Sequence, residues 1–262
     1  MGTNLIRDRI LDADGKALNV YFTAGYPTLG SIPTIISSLE NAGADLIELG
    51  MPYSDPLADG LTIQNSSKVA LENGLNLKIL FEQIEEARKS TTIPLILMGY
   101  FNQLLQFGVE DFLKIASEKG VSGMIIPDLP MDIYERDYKI LFEKYKLTIS
   151  FLISPMTSDV RIRQADRLSS AFIYVVSQSS ITGKKGDISK DQETYFKRID
   201  SMGLNSPRLI GFGIHDHKTF ETACAYSQGA IVGSAYIRAL ADSNDITSTT
   251  QSFIHSIKNK QS

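Results

Sequence analysis

Residues 45–60 read DLIELGMPYSDPLADG, a short apolar run followed by a loop with two prolines and two further acids. Glu48 stands within the apolar run, and Gly60 ends the loop. A plain connection between two elements needs about two to six residues, so this loop is longer than a turn requires. The stretch therefore predicts a buried strand followed by a loop that has a function of its own.

The rest of the chain repeats this alternation of apolar runs and helical segments. The runs lack a clean polar and apolar alternation, which is typical of parallel strands covered on both faces. Eight such runs span residues 19–24, 45–50, 94–100, 122–128, 147–154, 172–177, 208–213 and 230–234. Between them, apolar residues recur at helical spacing, for example at Ile32, Ile35, Ile36 and Leu39 before Gly43.

Eight strand and helix units without a break in composition favour a closed barrel over an open, doubly wound sheet. The chain has 262 residues, 43% of them hydrophobic, which suits one barrel. We therefore expect an α/β fold, a single-domain (β/α)8 TIM barrel over residues 1–262, with extra helical segments at the N-terminus and in the loops. The unit that holds residues 45–60 is the longest, and extra length after a strand lies at the end of a barrel where active sites are built.

Composition excludes several classes of function. The net charge is −4 and no Lys/Arg cluster exists, which argues against nucleic-acid binding. A single cysteine excludes an intrachain disulfide and favours a reducing compartment. The chain has no apolar signal core at its start and no apolar stretch near the roughly 18 residues of a membrane helix. We therefore expect a cytoplasmic protein without membrane contact.

Three acids of the opening stretch are candidates for function. Glu48, among apolar neighbours, is either paired in a structural salt bridge or poised for proton transfer, and a position at a barrel mouth favours the latter. Asp59 precedes Gly60 and a helical pattern, so taken alone it is best explained as a helix or turn cap. Asp55 is a turn acid next to Pro56, with structural and recognition roles equally open.

Glycines follow the last three predicted strands, in the segments 177–186, 211–213 and 232–235. Barrels frequently bind phosphate there, because bare backbone N–H groups and a short helix N-terminus can reach an anion. Turn formation explains any one of these glycines, but their succession favours a phosphate site. The spacing of a Walker A loop is absent. The candidates are Gly211, Gly213, Gly233 and Ser234.

Other chemistries are disfavoured. His215 and His217 lack an evident third ligand, so we expect no metal site and interpret both as solvated residues at a helix start. Cys224 lies in a helical run and is interpreted as core. No lysine ends a strand as a Schiff-base lysine would. A phosphate site with two carboxylates suggests acid/base chemistry on a small phosphorylated substrate.

Several segments together resemble one family, that of the tryptophan synthase α subunit. ELGMPYSDPLADG with the following TIQNSS resembles the family signature, and FTAGYPT (22–28), IIPDLP (125–130), ITGKKG (181–186), GFGI (211–214) and VGSA (232–235) match further segments in order. The resemblance covers nearly the whole chain. It implies a (β/α)8 barrel that cleaves indole-3-glycerol phosphate to indole and glyceraldehyde 3-phosphate.

The resemblance also implies roles for individual residues. Glu48 would be the general acid/base, and Asp59 would accept the indole N–H and stabilise positive charge on the ring. Thr182 would belong to a lid over residues 177–187. The remaining implied sets are an indole pocket of Tyr21, Phe22, Tyr100, Tyr174 and Phe212, a phosphate site of Gly183, Gly211, Gly213, Gly233 and Ser234, and a partner interface of Pro52, Asp55 and Pro56.

The implied partner is a β subunit, in an α2β2 complex to which indole is passed. Pyridoxal phosphate would belong to that partner, and this chain would need no cofactor of its own. The lid departs from the family pattern at Gln178 and Ser180, where arginine and glycine are common, which puts lid closure and coupling to the partner in doubt. The alternatives are a stand-alone lyase that releases indole, a non-catalytic subunit that activates its partner, and, if the signature is misread, another phosphosugar enzyme such as an isomerase.

Overall fold

One parallel sheet forms the centre of the molecule in the computed structural model, which describes residues 4–56, 59–176, 189–211 and 213–259. All strand pairs in it are parallel, and the order is β5-β4-β3-β2-β1-β9-β8-β7-β6. Over these residues the strands are β1 (Ala17–Thr23), β2 (Leu46–Gly50), β3 (Leu95–Met98), β4 (Gly123–Ile125), β5 (Thr148–Ile149), β6 (Phe151–Ile153), β7 (Ile173–Val176), β8 (Arg208–Gly211) and β9 (Gly229–Val232).

The two ends of this sheet belong to one stretch of backbone. Only Ser150 separates β5 from β6, and the two pair with β4 and β7 respectively. The predicted strand over 147–154 is therefore broken in two, and the hydroxyls of Ser169 and Ser170 accept hydrogen bonds there from the N–H groups of Phe151 and Ile149. The sheet runs once around a barrel through this broken strand, and the predicted (β/α)8 fold is confirmed.

Helices surround the sheet and follow the strands in turn. In the described residues they are α1 (Leu5–Asp12), α2 (Ile32–Ala42), α3 (Leu61–Glu72), α4 (Leu77–Arg88), α5 (Phe101–Phe107), α6 (Val109–Glu118), α7 (Met131–Ile133), α8 (Lys139–Lys144), α9 (Asp159–Leu168), α10 (Lys190–Ser201), α11 (His217–Cys224), α12 (Ser234–Ala241) and α13 (Ile246–Lys258), with a π-helical turn at Tyr134–Tyr138. The predicted extra segments are present, since α1 precedes the first strand and two helices follow each of β2 and β3.

Alternation along each strand separates two apolar layers. Leu18, Val20 and Phe22 of β1 face outward and pack in the layer shared with the helices. Ala17 of β1 and Leu46 of β2 face the barrel interior, where α1 adds Ile6 and Ile10 at the N-terminal end of the strands. Successive residues of a strand point to opposite faces, so alternate residues of β1 join the outer layer and the others face the barrel interior.

Helix α2 shows how the sequence pattern becomes packing. Its four predicted apolar positions, from Ile32 to Leu39, are fully buried, and the helix ends at Gly43 as the pattern indicates. None of the helices described is long and apolar enough to span a bilayer. The assignment of residues 1–262 to one domain stays a prediction.

Candidate active site

A cavity opens at the C-terminal end of the barrel strands. Its empty volume is about 1140 Å³, counting the space open to solvent at the mouth. Residues from β1, β2, β6, β7 and β9 and from the loops after β2, β3 and β8 line it. Concave sites of this size at this end of a barrel are where ligands bind.

Glu48 is the buried acid of this cavity. It lies on β2 with 1% of its surface exposed, and its Oε2 accepts a hydrogen bond of 3.0 Å from Asn19 Nδ2. Burial raises the pKa of Glu48 to about 8; the bond from Asn19 opposes this rise, and the nearby charge of Asp59 adds to it. A carboxyl group with this pKa carries a proton near neutral pH and can return to that state after giving it up.

Asp59 reaches the same cavity from the loop after β2. Tyr100 Oη donates a hydrogen bond of 3.1 Å to its Oδ2, and Gln64 Nε2 donates one of 2.8 Å to its carbonyl oxygen. Gly60, not Asp59, is the N-cap of α3, so the interpretation of this acid as a helix cap is wrong. Burial raises the pKa of Asp59, and the hydrogen bond from Tyr100 lowers it by favouring the charged form.

Aromatic rings form one wall of the cavity. Tyr21, Tyr100 and Tyr174 line it, each nearly buried. Glycines make room for two of these rings, because a Cβ at Gly50 would lie 2.1 Å from Tyr21 Oη and one at Gly211 would lie 2.4 Å from Tyr174 Oη. The wall is therefore apolar, flat and edged by hydroxyl groups, as a planar aromatic ligand requires.

Two residues that the resemblance implies for the site, one in the indole pocket and one in the phosphate site, do not line the cavity. Phe22 is fully buried in the outer layer, because it neighbours the inward-facing Tyr21 on β1 and so points the opposite way. Its assignment to the indole pocket is wrong. Gly211 lies within β8 against the Tyr174 ring and is not among the residues that line the cavity, and its assignment to the phosphate site stays a prediction. Phe212, Thr182 and Gly183 lie outside the described residues, as do Gln178 and Ser180.

Another part of the cavity lining suits an anion. Gly213, Gly233 and Ser234 line the cavity, with Gly233 as N-cap and Ser234 as first residue of α12. Gly213 has a φ of 80°, a left-handed conformation that favours glycine. The partial positive charge of a helix N-terminus and its free N–H groups stabilise a phosphate.

Two further residues line the cavity and were not among the predicted site residues. Arg238 lies one turn into α12, and its Nη1 is 3.5 Å from Thr62 Oγ1 at the start of α3. His215 also lines the cavity, with its Nδ1 2.6 Å from the carbonyl oxygen of Gly213. Arg238 is the one fixed cation among the described lining residues. Its signal was the spacing of four residues from Ser234, which places both on one face of a helix.

The loop after β2 divides into a buried and an exposed part. Pro52 is buried, and its carbonyl oxygen accepts a hydrogen bond of 3.0 Å from Gln103 Nε2, so its assignment to a partner surface is wrong. Asp55 is exposed and Pro56 is half-buried. Tyr53, between them and the cavity, packs on Tyr100 with ring centroids 5.1 Å apart.

Metal ligands and thiols do not contribute to the geometry described. Within residues 4–56, 59–176, 189–211 and 213–259, no group of three His, Cys, Asp or Glu side chains is placed to hold a metal ion. Cys224 is half-buried, and burial raises the pKa of its thiol to about 12, which disfavours the reactive thiolate.

Comparison with known proteins gives one consistent match. A family model described as "Tryptophan synthase alpha chain" matches residues 9–261. The tryptophan synthase alpha chain of Flavobacterium psychrophilum is 52% identical over 241 residues, which are 92% of this chain and 95% of that one. The corresponding chain of Flavobacterium johnsoniae is 51% identical over 248 residues, 95% and 97% of the two chains.

Solved structures agree with the sequence relatives. The crystal structure of the tryptophan synthase alpha chain from Legionella pneumophila superposes with a TM-score of 0.87 at 27% identity, over 98% of this chain and 97% of that one. A tryptophan synthase complex from Pyrococcus furiosus gives a TM-score of 0.83 at 29% identity, over 92% and 97%. With a family match over almost its whole length and relatives at about half identity, the chain belongs to the tryptophan synthase alpha chain family.

Proposed function

We propose that this member of a lyase family cleaves indole-3-glycerol phosphate to indole and D-glyceraldehyde 3-phosphate by a retro-aldol reaction. One observation carries the proposal: Glu48 and Asp59 line the same cavity in different settings, one buried with a pKa near neutrality and one held by a hydroxyl donor. Such a pair can separate the acid/base role from the role of a fixed negative charge.

Glu48 acts as the proton shuttle of this reaction. Its carboxyl group gives a proton to the indole carbon that bears the glycerol chain, which converts the ring to a cation. The resulting carboxylate then takes the proton of the adjacent glycerol hydroxyl. The hydroxyl oxygen becomes an aldehyde, the carbon–carbon bond breaks, and its electron pair returns to the ring. Glu48 ends protonated, so the cycle needs no net proton.

Asp59 stabilises the ring cation. A carboxylate beside the indole N–H interacts most strongly when the ring is positively charged, so it lowers the barrier more than it strengthens substrate binding. The hydrogen bond from Tyr100 favours the charged form that this role needs. The indole ring would lie against Tyr21 and Tyr174, which line the cavity next to both acids.

The phosphate group of the substrate would lie at the N-terminus of α12. Gly213, Gly233 and Ser234 offer backbone N–H groups there, and Arg238 supplies a fixed positive charge that attracts the phosphate. Arg238→Gln should raise the KM for indole-3-glycerol phosphate about tenfold with little change in kcat, because the phosphate contact is the same in substrate and transition state. A change in kcat alone would contradict this placement.

A β subunit is the proposed partner, in an α2β2 complex with pyridoxal phosphate held by the β chain. A solved relative is a tryptophan synthase complex. The C-terminal end of the barrel carries exposed apolar side chains at Leu61, Leu105 and Met156, which are 77%, 49% and 87% exposed. These side chains, with Asp55 and Pro56, are the proposed contact residues for the partner. The lack of a cofactor in this chain and a cytoplasmic location belong to the same proposal.

Binding of the partner can be tested at two equally apolar positions. Met156→Asp places a charge in the proposed surface, whereas Leu11→Asp places one on α1, at the N-terminal end of the barrel, where Leu11 is 56% exposed. Sedimentation with the cognate β subunit should show weakened assembly for Met156→Asp and unchanged assembly for Leu11→Asp. Equal effects, or an effect of Leu11→Asp alone, would contradict the surface proposed.

Indole release is the direct test of the reaction. The purified chain is incubated with indole-3-glycerol phosphate, indole is measured, and the β subunit is then added. A rate that rises strongly on addition supports a partner-activated lyase, and a high rate beforehand supports a stand-alone lyase. No indole under either condition would overturn both and leave the non-catalytic activator. The raised pKa of Glu48 argues against that last alternative, since a chain without catalysis gains nothing from a destabilised buried acid.

A further inference from the structure

A buried amide lies beside the proposed proton shuttle. Asn19 stands on β1 with none of its surface exposed, and its Nδ2 donates a hydrogen bond of 3.0 Å to Glu48 Oε2. Asn19 is not part of the cavity lining, whereas Glu48 is. The amide therefore contacts the acid from below, inside the barrel, where no substrate can reach it.

The surroundings of this pair are otherwise apolar. In the strand register Asn19 lies between Leu46 of β2 and Ile231 of β9, and Glu48 lies between Tyr21 of β1 and Ile96 of β3. The other oxygens of the pair, Asn19 Oδ1 and Glu48 Oε1, have no hydrogen-bond partner within the described part of the chain. The two side chains thus share one directed hydrogen bond between apolar neighbours on the adjoining strands.

Stability alone does not explain an asparagine here. A buried polar atom without a partner costs about 1–3 kcal/mol, and Asn19 Oδ1 is such an atom. A leucine at this position would match its apolar neighbours and remove that unpaired oxygen, and the hydrogen bond that would be lost is the one to Glu48 Oε2. The amide is explained by what its Nδ2 does for the acid.

We infer that Asn19 is a positioning residue, which fixes Glu48 Oε2 by hydrogen bonding and so leaves Oε1 as the oxygen that carries the transferred proton. The inference rests on the proposed function. An amide N–H cannot donate to an oxygen whose own proton points at it, so the proton of the neutral acid belongs on Oε1. The same hydrogen bond restricts rotation of the carboxyl group, which keeps Oε1 aimed in one direction through both proton transfers.

The contact also stabilises the charged form of Glu48. Burial and the charge of Asp59 raise the pKa of this acid, and the hydrogen bond from Asn19 lowers it. The nearby hydroxyls of Tyr21 and Tyr174 stay neutral here, because burial raises their own pKa values. If the neutral acid starts the reaction, activity falls as pH rises through the pKa of Glu48, and loss of Asn19 moves that fall to higher pH.

Two variants test the inference by kinetics. Asn19→Leu keeps the volume close and removes the donor, and Asn19→Ala removes it without adding bulk. For indole-3-glycerol phosphate cleavage we expect kcat to fall between roughly tenfold and a hundredfold, with KM changed by less than about twofold because Asn19 does not touch the cavity. The alkaline limb of the kcat profile should move up by about one pH unit.

A matched control lies on the same face of the same strand. Thr23 is fully buried on β1, where its hydroxyl shares a hydrogen bond of 2.7 Å with Ser66 Oγ and a further one with the hydroxyl of Tyr21, so Thr23→Val removes buried hydrogen bonds that do not involve Glu48. It should lower stability and leave the alkaline limb in place. The inference would be overturned if the alkaline limb of the kcat profile fell at the same pH in wild type, Asn19→Leu and Asn19→Ala and kcat were unchanged.

Direct titration separates this inference from the proposed function. Carbon-13 NMR of labelled glutamate carboxyl groups, with Glu48→Gln to assign the signal, should give a midpoint near the pKa of about 8 in wild type and a higher one in Asn19→Leu. Equal midpoints would overturn the inference even in an active enzyme. A wild-type chain that releases no indole with its β subunit would instead overturn the proposed function, whatever the titration shows.

Discussion

The two acids of the cavity differ in how the fold holds them. Glu48 is part of a strand, is almost fully buried and has one hydrogen bond, from an amide in the barrel interior. Asp59 sits beyond a long loop, is half-buried and accepts a hydrogen bond from a hydroxyl at the cavity wall. Burial raises the pKa of both carboxyl groups, and at Asp59 the hydrogen bond from the hydroxyl opposes that rise and favours the anion.

The two acids also depend on different parts of the structure for their position. A strand position cannot move to water, so Glu48 keeps its raised pKa only because the surrounding sheet is stable enough to tolerate it. A loop position depends on local contacts, so Asp59 is positioned by Tyr100 and by the hydrogen bond from Gln64 to its carbonyl oxygen. The substitutions below act on one acid at a time.

Glu48→Gln should have the largest effect. The amide keeps the shape and cannot donate and retake a proton, so kcat for indole release should fall by about a thousandfold or more. Glu40→Gln is the control, because Glu40 lies at the opposite end of the barrel, where its Oε1 accepts hydrogen bonds from the N–H groups of Thr92 and Ile93. Turnover of Glu48→Gln near that of the control would remove the proton-shuttle role.

Asp59→Asn should lower kcat by about a hundredfold, because it removes a charge that acts mainly on the transition state. The variant also tests whether the two acids interact, since the charge of Asp59 raises the pKa of Glu48. Its alkaline limb should therefore move to lower pH. Asp128→Asn is the control at the same end of the barrel, where Asp128 Oδ1 accepts a hydrogen bond of 2.8 Å from the N–H of Phe101. An unshifted limb would show that the two acids do not interact.

Stability against pH should distinguish the two acids without any assay of activity. The pKa of Glu48 is raised from an ordinary 4.5 to about 8, so between these values the folded chain binds the proton more tightly than the unfolded chain, and stability is lost as pH rises. At pH 7 the free energy of unfolding is lower than at pH 4 by on the order of 3 kcal/mol. Urea unfolding should show Glu48→Gln gaining on wild type by that amount between pH 4 and pH 7.

An exposed acid supplies the reference for that measurement. Asp55 lies on the outer part of the loop after β2, away from the cavity lining. Asp55→Asn should follow wild type at every pH. A constant gap between Glu48→Gln and wild type would mean that Glu48 is not destabilised by its burial.

The sequence predicts those features of the molecule that depend on local patterns of residues. The barrel was predictable because strand and helix periods are local, and the eight apolar runs fall on the strands observed, with only 147–154 broken in two. Glu48 and Asp59 were predictable because a long signature carries them. Phe22 was placed wrongly because strands buried on both faces are apolar at every position, so composition does not tell inside from outside.

The remaining features depend on the path of the chain. Pro52 is buried because the loop turns inward onto Gln103, and no local pattern encodes that turn. Arg238 enters the cavity through the direction in which α12 starts. The sequence did mark Asn19, as the single amide in a seven-residue strand that is buried throughout. Its role could be inferred only from the strand register, which sets it beside Glu48.

Tyr100→Phe should have the smallest effect and isolate the contact that makes Asp59 differ from Glu48. The variant removes the hydroxyl that donates to Asp59 Oδ2 at 3.1 Å and keeps the ring. Since that bond lowers the pKa of Asp59, its loss should raise this pKa and move the acidic limb of the kcat profile toward neutral pH. A hydrogen bond to a charged group contributes about 1.5 kcal/mol, so kcat at the optimum should fall by only about tenfold.

The matched control is a second tyrosine at the cavity mouth. Tyr53 packs on Tyr100, and its Oη accepts a hydrogen bond of 2.9 Å from Asn102 Nδ2. Tyr53→Phe therefore removes a hydroxyl from the same aromatic pair without touching Asp59, and its acidic limb should match wild type. If both variants shift the limb equally, the aromatic pair acts on Asp59 through packing. If neither does, Asp59 owes its charge to solvent at the mouth, and the contrast with Glu48 is then one of burial alone.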